Sequence, residues 1–406
     1  MTLFQPFSHY LSYGATDQQT LRDLAGRFSG LVVPGTIAAY QQRGTGGFVL
    51  SLSATQAAAP YVIDSRFPLF QQRLIAPKRS HYALADLFGY PDLIERRTAP
   101  RPGDFATEPL LDMAQRWVEF NDAYHSAQGA AFEKYARRLE EPIPQPENIQ
   151  RPERILAPYF MCDGRDDDWW QHSKTFWEAT REAASERAAR VVAAKSVNAL
   201  SDLIDDTSED ELVIWVSGLD EVAAGYRELR TYAIALERAA QRGVRLFALY
   251  GGFYHVLMRR FGLSGLSHGI GFGEYRVWEE LPQSGPPPAR YYLRRAHRYV
   301  PQDLANALAL RDPSLTACPC PDCEGRRPLE LDYHALMRHS VAARAEEIEM
   351  WAPVRRANIA KLLRDELAAL DQAIRRPTMP GPLQRAALPY VEHLDTWANA
   401  LDSPPA

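Results

Sequence analysis

The chain has 406 residues, 46% of them hydrophobic and 24% charged, which is ordinary globular composition and enough length for one large barrel plus an added subdomain. A net charge of −5 and a pI near 6.1 exclude a protein that coats nucleic acid by bulk charge, though not one with a local basic face. No apolar run approaches the about 20 residues that span a bilayer, and MTLFQPFSHYLSYG at the start lacks the basic and apolar regions of a secretory signal, so cytoplasm is the expected compartment.

Along the chain, short apolar or β-branched runs alternate with amphipathic stretches. SGLVVPG (29–35), GFVLSLS (47–53), PYVIDS (60–65), RILAPYFM (154–161), ARVVAAK (189–195), ELVIWVS (211–217), VRLFALY (244–250) and GLSHGIG (265–271) read as strands. Several are continuously apolar, as parallel strands buried on both faces are. Helical spacing runs over 175–189 and over 225–243, the second ending at Gly243, a good C-cap residue; YHVLMRRFG reads as a short helix. Strand, helix, strand with short loops predicts right-handed βαβ crossovers. About eight such strands predict a (β/α)8 TIM barrel with an irregular N-terminal third. An open doubly wound sheet is the competitor, but no G-x-G-x-x-G follows an early strand.

The chain divides into a barrel (1–283), a metal-binding subdomain (284–350) and a C-terminal helix and tail (351–406). SGPPPAR (284–290) reads as an exposed linker, AEEIEMWAPVRRANIAKLLRDELAALDQAIRR as one long helix, and LDSPPA as a frayed tail.

Three of the four cysteines fall within six residues. Cys318, Cys320 and Cys323 with His339 form C-x-C-x2-C-x15-H, a complete Cys3His ligand set for a tetrahedral zinc ion. Four protein ligands leave no open position for water, which makes such a site structural. His334, five residues earlier, is a rival fourth ligand. Clustered thiolates fit a reducing compartment better than a disulfide framework.

Active sites of such barrels sit at the C-terminal ends of the strands. That rule selects Asp64 and Ser65 after PYVID, Asp163 after RILAPYFMC, and Ser217, Gly218, Leu219, Asp220 and Glu221 after ELVIWV. It also selects Gly251 and Gly252 after VRLFALY, and His268 and Glu274 at or beyond the last strand. Glu221 suits the ordinary role of a first-turn acid, and His268 that of a satisfied interior histidine. Gly218, Gly251 and Gly252 would let backbone approach a flat ligand closely, and Phe67, Phe253 or Tyr254 could cover it.

Together these segments resemble the tRNA-guanine transglycosylase superfamily. The resemblance is carried by LVVPGTI, by PYVIDSRFPLFQQ with its aspartate-serine and phenylalanine-glutamine pairs, by WVSGLDE, by LYGGFYHVLMRRFGLSGLSHG and by the cysteine-histidine clip. It is colinear over residues 30–345 and implies a (β/α)8 barrel with an inserted zinc subdomain that uses His339. There are departures. The catalytic aspartate that the tRNA enzymes carry on the last strand falls near Ser267 or His268, neither a carboxylate, and the cysteine-to-histidine spacing is shorter than in the queuine enzymes. With HSVAARAEEIE and the SRFPLFQ turn, these features resemble the DpdA-type branch. Its members exchange guanine in DNA for a 7-deazaguanine such as preQ0 and are associated with a partner ATPase.

Base exchange needs a carboxylate to attack C1′ and an acid/base to protonate the departing purine. The resemblance implies the acid/base role for Asp64. Asp220 is the first choice for nucleophile, with Glu274 and Asp163 as alternatives. Ser65, Ser217, Gly218, Leu219, Gly251, Gly252 and Glu274 would then line the base pocket.

ARYYLRRAHRYV (289–300) interleaves bases and aromatics. Arg290, Arg294, Arg295, His297 and Arg298 would bind phosphates and Tyr291 and Tyr292 would stack on bases, or the strip is an exposed element paired with Glu279 and Glu280. QQRLIAPKRSH (71–81) is a second basic cluster facing the same groove. Two other functions stay open: the same exchange on tRNA, or a barrel without activity that binds nucleic acid or a subunit.

Overall fold

Eight parallel strands hydrogen-bond in a closed ring, in the order β1 (Ser8–Ser12), β2 (Gly30–Pro34), β3 (Tyr61–Asp64), β4 (Ile155–Leu156), β6 (Ala188–Ala194), β7 (Glu211–Val216), β8 (Arg245–Ala248) and β9 (Leu263–Gly269), which pairs back to β1. The computed structural model describes residues 3–4, 7–14, 18–24, 26–41, 59–126, 150–280 and 289–402. With helices around the ring, this is the expected (β/α)8 barrel.

Strand faces alternate as a filled barrel requires. Val213 and Trp215 of β7 join Val191 of β6, Phe247 of β8 and Tyr10 of β1 in the interior, while Leu212, Ile214 and Val216 pack outward under the helices. Leu3, Phe4 and Tyr10 close the floor, where Glu153 accepts hydrogen bonds from the Leu3 amide (2.6 Å) and the Tyr10 hydroxyl (2.5 Å).

Two strand expectations change. RILAPYFM is split into β4 and a second piece, β5 (Met161–Cys162), because Pro158 has no N–H for a ladder. The Gln71 side chain clamps β5, accepting from Met161 N (2.6 Å) and donating to its carbonyl (3.1 Å). The second change is at the N-terminus. GFVLSLS (47–53) lies outside the described residues, and the ring is completed by SHYLS, whose Ser8, His9 and Ser12 hide it from a search for apolar runs. His9 Nε2 lies 2.7 Å from His268 Nε2 across the β1–β9 seam, so His268 is indeed a satisfied, buried histidine.

After β9 the chain leaves the barrel for a two-stranded hairpin, β10 (Arg290–Leu293) with β11 (Arg298–Pro301), then a helix at Gln302–Arg311 and the cysteine segment. It returns as the helix Tyr333–Trp351, which packs between the helices Gln18–Asp23 and Phe253–Leu257 and thereby covers β9 from outside. The hairpin and cysteine segment are thus inserted between the last strand and its helix.

The expected single C-terminal helix is two, Tyr333–Trp351 and Arg356–Ile374, interrupted around Pro353. Two shorter helices follow, Gly381–Ala387 and His393–Leu401. Of LDSPPA, Leu401 ends this last helix and residues 403–406 lie outside the described residues. Trp397 is fully buried, donates to the Glu221 carbonyl (2.7 Å) and stacks near Phe253. Trp397→Ala is therefore expected to cost about 3–5 kcal/mol of unfolding free energy, measured by urea titration, as for other large-to-small changes in a core.

Candidate functional site

Asp64 ends β3 inside the mouth of the barrel and is fully buried. Its Oδ1 accepts from the Tyr159 hydroxyl (2.7 Å) and from the Arg66 amide (3.1 Å), and its Oδ2 lies 2.7 Å from Arg66 Nε. Arg66 reaches this position from a left-handed backbone (φ 56°), which turns its guanidinium back into the barrel over the Tyr250 ring. The break in the fourth strand is what frees Tyr159 to point at Asp64. Ser65 is buried and accepts from the Phe67 amide (3.3 Å), so its hydroxyl serves the turn.

A strap of chain after β9 crosses this mouth. Gly218 donates its amide to the Arg276 carbonyl (2.8 Å), Trp278 donates its amide to Ser217 Oγ (3.1 Å), and Gln72 donates its side-chain Nε2 to the Trp278 carbonyl (3.4 Å). The Trp278 ring packs on the interior cluster. Ser217 and Gly218, expected to meet a base, are thus held by the chain itself.

The remaining carboxylates lie elsewhere. Asp220 is half-buried and accepts from the amides of Val222 (3.0 Å) and Ala223 (3.4 Å), so it caps its own turn, and it does not join Asp64. Asp163 is exposed and pairs with Lys195 (2.7 Å). Glu221 is more than a first-turn acid. It is buried and accepts from the amides of Gly252 (2.6 Å), Tyr254 (2.8 Å) and His255 (3.3 Å) and from His255 Nδ1, while His255 Nε2 meets the Tyr232 hydroxyl (2.8 Å). Burial works against its charge, but His255, Arg344 and the Gly252 amide outweigh it and hold the carboxyl below its usual range.

Gly251 and Gly252 make room for these contacts. A Cβ on Gly252 would lie 2.7 Å from Glu221 Oε2, and one on Gly251 would lie 2.6 Å from His255 Cγ. Leu219 is buried near Tyr232 and His255. The proposed aromatic cover is also core. Phe67 is ringed by Phe70, Phe88, Phe160 and Phe176, Phe253 stacks on His297 at 3.6 Å, and Tyr254 donates to the Leu229 carbonyl (3.0 Å).

Behind the strap, Arg344 of the outer helix is buried and bonds Glu274 (2.6 Å), with Glu347 at 3.4 Å and the Tyr292 ring below it. His297 bridges Glu347 (2.6 Å) and Glu366 (3.0 Å). Burial pushes the Glu274 carboxyl up to about 8; Arg344 opposes the shift, and Glu221 and Glu347 reinforce it. The folded protein therefore keeps a proton that the unfolded chain releases near 4.5, and the stability this contributes is lost as pH rises towards about 8. Glu274→Gln stays neutral throughout. The stability of the wild type relative to this variant is expected to fall across that window in urea titrations at stepped pH.

The basic-aromatic strip is more deeply built in than its sequence implies. Tyr291, Tyr292 and His297 are buried. Arg294 pairs with Glu346 (3.2 Å), Arg290 lies over the Phe272 ring (3.9 Å), Arg298 lies over Tyr390 (4.7 Å), and Arg295 approaches the Ser314 carbonyl (3.5 Å).

Cys318, Cys320, Cys323 and His339 bring their ligand atoms within 4.8 Å of one another. His339 Nδ1 is 3.5 Å from Cys320 Sγ and 3.2 Å from Cys323 Sγ. Tetrahedral bonds of about 2.3 Å to sulfur and about 2.0 Å to nitrogen would set such pairs about 3.5 Å apart, so the set fits a metal ion. His339 Nε2 donates to the Tyr292 carbonyl (2.8 Å), leaving Nδ1 free for a metal, and Tyr291 stacks on the ring. His334 is not a ligand, since its Nδ1 bonds Thr20 Oγ1 (2.9 Å). Elemental analysis is expected to give one divalent metal ion per chain, lost in Cys320→Ser and kept in His334→Ala.

No family model and no curated protein matches the chain. Among solved structures, xylanase B from Clostridium stercorarium F9 is similar, with a TM-score of 0.34 and 7% identity over 67% of this chain and 90% of that one. A likeness that low carries no argument about activity. No helix among the described residues is long and apolar enough to cross a membrane.

Proposed function

We propose that the chain is a base-exchange transglycosylase that replaces guanine in DNA with a 7-deazaguanine base such as preQ0 through a covalent glycosyl-enzyme intermediate. The observation that carries this reading is Asp64, a buried carboxylate at the C-terminal end of a barrel strand, held in one orientation by Tyr159 and Arg66. The inserted Cys3His subdomain, placed between the last strand and its helix, supports it. In this reading zinc occupies the Cys3His group, ties the cysteine segment to the helix Tyr333–Trp351 and takes no part in the chemistry. The protein works in the cytoplasm, where a partner ATPase opens the duplex so that the target nucleotide can leave the stack.

To protonate the departing guanine as its bond to C1′ breaks, Asp64 must part from Arg66 and carry a proton, which it recovers from the incoming base as that base bonds to C1′. For attack on C1′, Asp220 must leave the Val222 amide and the strap must lift from Gly218. A second reading, a barrel without activity that binds nucleic acid, is favoured by one fact: among the described residues, the polar partners of Asp64 are Arg66 and Tyr159 and include no other carboxylate.

Labelled preQ0 offered with duplex DNA, single-stranded DNA or tRNA, with and without an added ATPase partner, separates the readings. Incorporation into DNA is expected. Label in tRNA instead would make the chain a tRNA enzyme, and nucleic-acid binding without exchange would support the inactive barrel. Asp64→Asn is expected to lower exchange by about 10²–10⁴-fold with metal content unchanged; full activity in that variant would remove Asp64 from the mechanism.

A further inference from the structure

Beside the mouth, a cleft of about 200 Å³ opens between the helix Gly35–Tyr40 and the start of the helix Arg79–Phe88. Thr36, Arg66, Lys78, Ser80, His81 and Arg276 line it, with Pro34, Ile37 and Leu69 as its apolar part. It is small against the about 300–1,000 Å³ of sites that take a whole drug-sized ligand, and it suits one anionic group. We infer that this cleft binds a phosphate group, with Arg276 of the strap as one wall.

Four observations support the inference. Cationic side chains converge on the cleft from three separate elements: the β3 turn, the start of the helix Arg79–Phe88 and the strap. Their mutual approach is felt at His81, whose pKa is lowered by burial and then by Lys78 and Arg276. No carboxylate among the described residues forms an ion pair with Arg276, whereas Arg294, Arg338 and Arg344 each have one. Arg66 is 7% exposed and, with its guanidinium held between Asp64 and the Tyr250 ring, adds fixed positive charge to one wall. The Thr36 and Ser80 hydroxyls add neutral donors. A carboxylate is satisfied by a single bidentate arginine, whereas a tetrahedral oxyanion accepts from several directions at once, as this lining offers.

The site has a consequence for the strap. The Arg276 carbonyl already holds Gly218, so an anion drawn to the Arg276 side chain would fasten the strap over the mouth. The proposal rests on the nucleic-acid reading only for the source of the phosphate, a phosphodiester next to the target nucleotide.

Inorganic phosphate is the probe. Calorimetry on the full chain is expected to show one saturable site, and phosphate should raise the pKa of the His81 imidazole followed by NMR. Arg276→Gln and Lys78→Gln should each weaken binding about tenfold, the worth of one charge-assisted hydrogen bond, while Arg385→Gln, at an exposed position elsewhere, should leave it unchanged. A short single-stranded oligodeoxynucleotide that displaces phosphate would identify a phosphodiester as the source. Phosphate binding without displacement would leave the site standing and assign it to a free phosphate or mononucleotide. A His81 titration unmoved by phosphate, or equal weakening by Arg385→Gln, would overturn the proposal, whatever the exchange assay gives.

Discussion

One buried guanidinium holds the two halves of this molecule together. Arg344 projects from the helix Tyr333–Trp351 onto Glu274 of the strap and toward Glu347, with the Tyr292 ring of the hairpin beneath it. A charge taken out of water is tolerated only where partners surround it, and removing one partner costs far more than the pair is worth. The outer helix can therefore seat only when strap and hairpin are both in place. Strap, hairpin and outer helix are tied together at this one point.

The same constraint separates polar groups that look alike in sequence. Among the carboxylates at or beyond strand ends, Asp64, Glu221 and Glu274 fall into two populations. Asp64 faces the barrel mouth, while Glu221 and Glu274 face the layer between strands and outer helices, where they fasten Gly252, His255 and Arg344. Gly251 and Gly252 belong to the second population, since the close approach they permit is to these side chains. Polar residues at the C-terminal rim of this barrel thus divide between the mouth and the outer layer, and only the direction of the side chain tells them apart.

The barrel was largely legible because its inner strands are apolar on both faces, and the Cys3His group because soft ligands at short spacing have few other uses. The first strand was hidden because Ser8, His9 and Ser12 interrupt the apolar pattern, and the split fourth strand because Pro158 sits inside an otherwise apolar run. Arg66 could not be foreseen. Nothing in SRFPLF signals that one left-handed residue will turn a guanidinium back onto Asp64. Arg344, Glu347 and Trp397 were equally silent, since each acts through partners far away in the chain. The depth of Tyr291, Tyr292 and His297 was missed because alternation of bases and aromatics describes a buried hairpin as well as an open strip.

The seam between the first and last barrel strands has a consequence for how the protein is made. His9 and His268 meet across it with 259 residues between them. At about 5–20 residues per second, a ribosome needs roughly 13–50 s to bridge that interval. During that time the β1 edge of the nascent chain has no β9 partner. The helix that covers β9 comes later still, after the hairpin and cysteine segment have emerged. An exposed strand edge is a template for pairing with other chains. Its interrupted apolar pattern, with Ser8, His9 and Ser12 in five residues, is the composition that makes such a wait tolerable.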